Sequence, residues 1–80
     1  MKKLNDVFVD RIKKYMKEQN LTQYRLAYNS GVPFATVKSI MQKRTKNITL
    51  KTIILFASGL NITPSKLIEG DEFLEENLDI

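Results

Sequence analysis

The chain has 80 residues, of which 42% are hydrophobic and 28% charged, the composition of one small globular domain. It contains no cysteine and no histidine, so we expect no disulfide, no cofactor or metal site and no enzymatic activity. The longest apolar run has five residues, far too few for a membrane helix, and the lack of cysteine fits a cytoplasmic protein. Residues 1–68 carry all 13 basic side chains and a net charge of +10, whereas residues 69–80 carry −6. A basic body of this kind favours a polyanionic partner such as nucleic acid.

Apolar residues spaced by three and four predict an all-α fold, a compact bundle of about five helices. The first helix should span residues 6–19, with Asn5 or Asp6 as its N-cap. Asn20 suits the left-handed position just past its end. The inner face of this helix should carry Leu4, Phe8, Ile12, Tyr15 and Met16.

The segment 23–42 predicts two short helices joined by a tight turn. The first should span residues 23–29 with Thr22 as its N-cap, and the second should span residues 33–42. The frame residues are Ala27 at the helix crossing, Gly31 in the turn, and Val37 and Ile40 on the packed face. This pattern is a helix-turn-helix, whose second helix enters the major groove of DNA.

Two further helices are predicted after a polar, basic loop at residues 43–48. They should span residues 50–60 and 64–68, with Thr49 and Thr63 as their N-caps. The inner face of the fourth helix should carry Leu50, Ile53, Ile54, Ala57 and Leu60, with Phe56 on its flank.

The change of charge divides the chain into a helix-turn-helix domain, residues 1–69, and an acidic tail, residues 70–80. Within the tail, residues 71–77 predict a short capped helix with acidic side chains favourably placed at its start. The apolar residues of the tail need a surface to cover. That surface is either a partner or the tail's own domain, unless the tail frays.

Residues 11–67 resemble the Cro and phage-repressor (Xre) type of helix-turn-helix domain, which has a lambda-repressor-like fold. The matching segments, in chain order, are Leu21-Thr22-Gln23, Leu26-Ala27, Gly31-Val32, Val37, Ile40, Arg44-Thr45-Lys46-Asn47, Thr49-Leu50, Phe56-Ala57, Leu60-Asn61-Ile62 and Leu67. Lys43 and Ile48 depart from the family, because many members have Gly and Pro there. Phe34 and Ala35 stand where the family often has Gln, Ser or Arg. The resemblance implies binding to double-stranded DNA.

The resemblance assigns base reading to the positions of Phe34, Ala35, Thr36 and Ser39, and the helical wheel adds Lys38 beside them. The candidate contacts to the DNA backbone are Thr22, Gln23, Lys43, Arg44, Lys46 and Asn47. Phe34 has two interpretations: it touches a thymine methyl group, or it packs against Tyr24 or Tyr28. If it touches thymine together with Ala35 and the Thr36 methyl, an A/T-rich site is expected.

Members of the family usually bind as two-fold dimers on palindromic sites, so the resemblance implies a homodimer and a palindromic operator. Leu55 is out of phase with the inner face of its helix and should point to solvent or to a partner. The candidate dimer interface comprises Leu55, Phe73, Leu74 and Leu78, together with Ile80.

Three functions are consistent with these features. The first is a transcriptional regulator, a repressor that acts by occupying its operator. The second is an antitoxin or comparable module whose acidic tail holds a toxin or another protein, which a co-purifying small partner would favour. The third is an interaction module with no role at DNA, which salt-insensitive, sequence-blind binding would favour.

Overall fold

A computed structural model describes residues 2–80, and the predicted all-α bundle of five helices is confirmed. The helices are α1 Leu4–Gln19, α2 Gln23–Ser30, α3 Phe34–Met41, α4 Leu50–Gly59 and α5 Ser65–Ile68. The remaining elements are a strand β1 Lys2–Lys3, two turns of 3-10 helix at Asp71–Phe73 and Glu75–Asn77, and a strand β2 Leu78–Asp79. None of the helices within residues 2–80 is both long and apolar enough to cross a membrane.

Local signals mark the ends of several helices as predicted. The Thr22 hydroxyl accepts a hydrogen bond from the Arg25 amide at 3.1 Å and so caps α2. The Thr49 hydroxyl accepts one from the Thr52 amide at 3.2 Å and caps α4 in the same way. Asn20 ends α1 in the left-handed region, with φ of 55°.

Two predicted caps are wrong. The N-cap of α1 is Lys3, so Asn5 lies inside the helix and its side chain is free to bond elsewhere. The N-cap position of α5 is Pro64, and the Thr63 hydroxyl lies 3.2 Å from that of Ser65 instead of capping the helix. In both cases the helix begins one or two residues from the predicted start, so a different residue occupies the cap position.

The core lies between α1, α2, α3 and α4, and Leu67 of α5 closes it. The aromatic rings of Phe8 and Phe56 stack within it, with ring centroids 6.4 Å apart. The buried cluster contains Phe8, Val9, Ile12, Met16, Leu26, Ala27, Val32, Val37, Ile40, Met41, Phe56, Ala57, Leu60 and Leu67.

The inner face of α4 differs from the prediction. Phe56 is fully buried rather than on the flank, and Leu55 packs against the core rather than pointing to solvent. Ile54 and Leu50, predicted inside, are 45% and 71% exposed.

The reason for this rotation lies in Gly59. A Cβ atom on Gly59 would lie 2.8 Å from the Cβ of Ser30, so only glycine allows α4 to approach α2 this closely. The residues that share the face of Gly59, three and four positions earlier, are Phe56 and Leu55. This close approach therefore turns Phe56 into the core and leaves Ile54 outside.

The acidic tail folds onto its own domain instead of forming one capped helix. Arg11 of α1 organises it, donating from its guanidinium to the Glu69 carbonyl and to Glu72 Oε1, each at 2.7 Å. The same guanidinium lies over the ring of Phe73, 5.1 Å from its centroid. Gly70 makes the required bend with φ of 107°, a conformation that glycine adopts without a Cβ clash.

The two short strands join the beginning and the end of the described chain. β1 and β2 are parallel, with Lys2 opposite Leu78 and Lys3 opposite Asp79. Leu78 is buried, which anchors β2 against the domain. These strands carry no alternating sequence signal because each has only two residues.

Candidate nucleic-acid interface

The helix-turn-helix frame is held by small and apolar residues at the crossing of α2 and α3. Ala27 is buried at the crossing, and Gly31 ends α2 in the left-handed region with φ of 77°. Val37, Ile40 and Met41 form the buried inner face of α3. This packing fixes which side of α3 faces outward.

The outer face of α3 carries the residues predicted to read bases. Ala35, Thr36 and Lys38 are exposed, while Ser39 is half-buried. Thr36, Lys38 and Ser39 offer hydrogen-bonding groups there, and Ala35 offers an apolar surface. Gln42, which follows the last residue of α3, is exposed as well.

Phe34 is the first residue of α3 and is 44% exposed. Its ring meets that of Tyr24 edge to face, with centroids 5.9 Å apart and an angle of 63° between the planes. The predicted packing against Tyr24 is therefore present, and almost half of Phe34 still faces outward.

The N-terminus of α2 lies beside the N-terminus of α3, because Tyr24 of α2 touches Phe34 of α3. Gln23, the first residue of α2, is half-buried, and the Thr22 side chain is engaged as the cap. Amide groups in the first turn of a helix suit a phosphate oxygen. Candidate backbone contacts thus flank the start of α3.

The other end of α3 leads into the basic loop, residues 43–48. Lys43 adopts φ of 61°, in the left-handed region that glycine favours. The Lys43 amide donates to the Ile40 carbonyl at 2.9 Å, and the Arg44 amide donates to the Ser39 carbonyl at 3.0 Å. The helix therefore ends in a Schellman motif although residue 43 is not Gly. Lysine adopts the left-handed conformation less readily than glycine does, but it adds a positive charge at this position.

Asn5 holds the basic loop in place, a role that the sequence did not reveal. Its side-chain amide donates to the Thr45 carbonyl at 2.7 Å and also to the Lys46 carbonyl. The bonds connect α1 to a loop about forty residues away, which fixes the loop backbone and leaves its side chains outside. No local sequence signal reports a contact of that separation.

The positive charges near α3 have no carboxylate partner among residues 2–80. The ion pairs among residues 2–80 are Lys2–Asp10 at 3.6 Å and Arg11–Glu72 at 2.7 Å. The exposed cations of α3 and of the basic loop are Lys38, Lys43, Arg44 and Lys46. These side chains are free to bind an external polyanion, and α3 itself, with eight residues, is about 12 Å long.

The candidate dimer residues are distributed differently from the prediction. Leu78 is buried under its own domain, while Phe73 and Leu55 are half-buried and pack against the core. Leu74 and Ile80 remain open, 46% and 74% exposed. On α4, Leu50 and Ile54 lie one helical turn apart and are exposed instead.

Metal-binding clusters of three or more acidic, His or Cys side chains are absent from residues 2–80. A surface groove of about 610 Å³ lies between the basic loop and the strands β1 and β2. It is open and lined largely by polar and charged side chains, Lys3, Asn5, Lys43 and Asp79 among them. The outer face of α3, with the candidate backbone contacts at its two ends, therefore remains the candidate functional site.

An exposed second helix of a helix-turn-helix, with unpaired cations beside it, defines a DNA-binding protein, and comparison with known proteins agrees. A profile of the helix-turn-helix family matches residues 12–67, and the chain belongs to this family. The resemblance to the Xre and lambda-repressor type is thereby confirmed. The protein is a DNA-binding transcriptional regulator.

A relative of this chain is control protein C.SmaI of Serratia marcescens. The two are 29% identical over 65 residues, which cover 81% of this chain and 76% of the relative. No solved structure gives a significant match.

Proposed function

We propose that this protein is a repressor that acts by occupying a palindromic operator as a homodimer. One observation carries the proposal. The outer face of α3 is exposed between two groups of candidate backbone contacts, and the cations of one group have no carboxylate partner in residues 2–80. Such a surface fits the major groove, with the phosphates of the two strands on either side. The protein would act in the cytoplasm, where the operator lies.

The contacts divide by chemistry. Thr36, Lys38 and Ser39 would hydrogen-bond to base edges, with Phe34 and Ala35 making apolar contact. The groups for the DNA backbone are Thr22, Gln23, Lys43, Arg44, Lys46 and Asn47. Thr22 accepts the Arg25 amide, and its O–H can still donate to a phosphate oxygen at the start of α2.

The exposed face of α4 is the better candidate for the dimer interface. α4 starts at Leu50, close behind the basic loop, and its exposed apolar residues are not among the candidate DNA contacts. Ile53, next to Ile54, also lines an apolar groove of about 360 Å³ with Leu4 and Ile68. Leu50 and Ile54 would thus bury apolar surface that the monomer leaves in water.

Selection of bound duplexes from a random library tests the DNA proposal. The expected result is a two-fold symmetric sequence with half-sites about one helical turn apart. About six neutralised phosphates per half-site should give a slope near −5 per half-site for log affinity against log salt. A consensus without symmetry would contradict the dimer, and a slope near zero would contradict a complex held by phosphates.

Sedimentation of two variants tests the interface. Ile54→Asp should turn the dimer into a monomer, since it buries an unpaired charge between the copies. Leu74→Asp is the matched control, because Leu74 and Ile54 have almost equal exposure, 46% and 45%. If Leu74→Asp dissociates the dimer and Ile54→Asp does not, the tail rather than α4 is the interface.

A reporter gene distinguishes repression from activation. With the selected sequence placed across a promoter, expression of the protein should lower transcription, because the bound dimer blocks access to the promoter. The matched control is the same promoter with both half-sites scrambled. A rise in transcription from the intact site would show an activator and would overturn the repressor assignment.

A further inference from the structure

Three aromatic side chains stand together at the outer corner of the helix-turn-helix. Tyr24 is 68% exposed, Tyr28 is 73% exposed and Phe34 is 44% exposed. They surround a shallow depression of about 250 Å³ whose floor is formed by Ala27, Gly31 and Val32. Single exposed apolar residues need no explanation, but a group of three beside the reading helix does.

The ring of Phe34 is oriented by its neighbour. Tyr24 meets it edge to face, 5.9 Å between centroids, so the Phe34 ring is supported on one side and open on the other. Phe34 occupies the first position of α3, and the N-terminal residues of a recognition helix are the ones that reach base edges. The open part of the ring would therefore lie at the floor of the major groove.

Within that groove, few groups suit an aromatic ring. The base edges present hydrogen-bond donors and acceptors, which a phenyl ring cannot pair, and one apolar group, the C5-methyl of thymine. Neither Phe34 nor its neighbour Ala35 can hydrogen-bond through its side chain. On a base edge, the group that the apolar start of α3 can contact favourably is therefore the C5-methyl of thymine.

We propose that Tyr24 and Phe34 form a seat for the C5-methyl group of a pyrimidine, with Tyr24 as the residue that positions the Phe34 ring. The proposal rests on the proposed function, since it needs α3 in the major groove. It adds that one position in each half-site is read through the methyl group rather than through the pairing edge. Thymine and 5-methylcytosine should then be accepted there, and uracil and cytosine should be disfavoured.

The test replaces the thymines of the selected operator one at a time by deoxyuridine, which removes only the methyl group. At one symmetric position the affinity of the natural chain should fall roughly fourfold per half-site, the effect of losing one buried methyl-sized group. Restoring a methyl there as 5-methylcytosine, paired with guanine, should bind more tightly than unmethylated cytosine in the same duplex.

Variants assign the effect to the aromatic pair. Phe34→Ala should bind the thymine and uracil duplexes equally, and Tyr24→Ala should reduce the discrimination. Tyr24→Phe keeps the ring and should retain it. Because both residues are substantially exposed, circular dichroism and thermal unfolding should show that the variants fold.

Outcomes separate this inference from the proposed function. Sequence-specific binding with no thymine-to-uracil effect at any position overturns the methyl seat and leaves the regulator intact. A uracil effect that Phe34→Ala does not change also overturns it, since another residue then contacts the methyl. Discrimination that Tyr24→Ala leaves intact overturns the role of Tyr24. Failure to select any sequence overturns the proposed function and this inference together.

Discussion

Arg11 and the basic loop use positive charge in opposite ways. The Arg11 side chain is only 11% exposed, and its guanidinium donates to the carbonyls of Lys66 and Glu69 and to the Glu72 carboxylate. The loop cations Lys43, Arg44 and Lys46 are exposed and have no carboxylate partner among residues 2–80. Arg11 therefore stabilises the fold, whereas the loop keeps its charges available for an external ligand.

The difference shows that net charge alone does not locate the DNA-binding surface. A basic residue whose guanidinium is held by hydrogen bonds within its own protein contributes little to binding a phosphate. An unpaired, exposed one releases counterions when it meets DNA, and this release can be measured. The predictions below use stability and salt dependence as two separate readouts.

The largest effect should come from removing the loop charges together. Lys43→Ala, Arg44→Ala and Lys46→Ala in one chain should lower operator affinity on the order of a hundredfold per half-site near 0.15 M salt, and should reduce the salt slope by roughly 2.7 per half-site. Thermal stability should hardly change, because the side chains lie on the surface. Fluorescence anisotropy at several salt concentrations measures both quantities.

A matched control removes three charges elsewhere. Lys13, Lys14 and Lys17 are exposed on α1, and their replacement by Ala lowers the net charge by the same amount. Their loss should leave the slope nearly unchanged. An equal loss of affinity and slope in both triple variants would mean that overall charge, and not the loop, holds the DNA.

Replacing Arg11 and Arg44 one at a time should separate the two readouts: the first variant should lose stability and the second should lose salt dependence. Arg11→Gln should lower the free energy of unfolding by about 2 kcal/mol, since charged hydrogen bonds and the support of the tail are lost, and the salt slope should stay the same. Arg44→Gln should leave the melting temperature within a few degrees and reduce the slope by about 0.9 per half-site. The comparison fails if Arg11→Gln reduces the slope as Arg44→Gln does.

Loosening the loop without touching its charges should have a smaller effect. Asn5→Ala removes the bonds to the Thr45 and Lys46 carbonyls, so the loop must be ordered when DNA binds. Affinity should fall about fivefold, which corresponds to about 1 kcal/mol, with the salt slope preserved.

Asn5→Asp provides the control for shape. The carboxylate has nearly the size of the amide but cannot donate to a carbonyl, so it should weaken binding at least as much as Ala. Binding by Asn5→Ala that equals that of the natural chain would show that the loop needs no support from α1.

The smallest expected effect concerns the conformation of Lys43. Replacement by Gly relieves the left-handed strain and should stabilise the fold by roughly 0.5 kcal/mol, after allowing for the greater freedom of glycine in the unfolded chain. Lys43→Ala removes the same charge and keeps the strain. Both variants should lose the same increment of salt slope, and only Lys43→Gly should raise the melting temperature.

Features set by neighbouring residues were predictable from the sequence. The caps Thr22 and Thr49 and the left-handed Asn20 and Gly31 depend on contacts within four residues, and the sequence contains all of their partners. The buried face of α3 followed from helical spacing alone. The five helices of the bundle could therefore be anticipated in order and almost in their bounds.

Features set by distant partners were not predictable in this way. The rotation of α4 depends on Gly59, which a hydrophobic pattern treats as a gap although it is the point of closest approach to Ser30. The fold of the tail depends on the hydrogen bonds that Arg11 donates to it. The acidic composition of the tail gave no indication that Leu78 is buried. The same reason explains why Asn5, lying in the first turns of α1, gave no sign of its contact with the loop.

The pairing of β1 with β2 has a consequence for the speed of unfolding. Lys2 and Leu78 are separated by nearly the whole chain, so their contact closes the longest loop in the molecule and should form after the folding barrier is crossed. A contact formed that late affects the unfolding rate and hardly the folding rate. The pairing of β1 with β2, which the buried Leu78 side chain supports, should therefore slow unfolding and have little effect on the rate of folding.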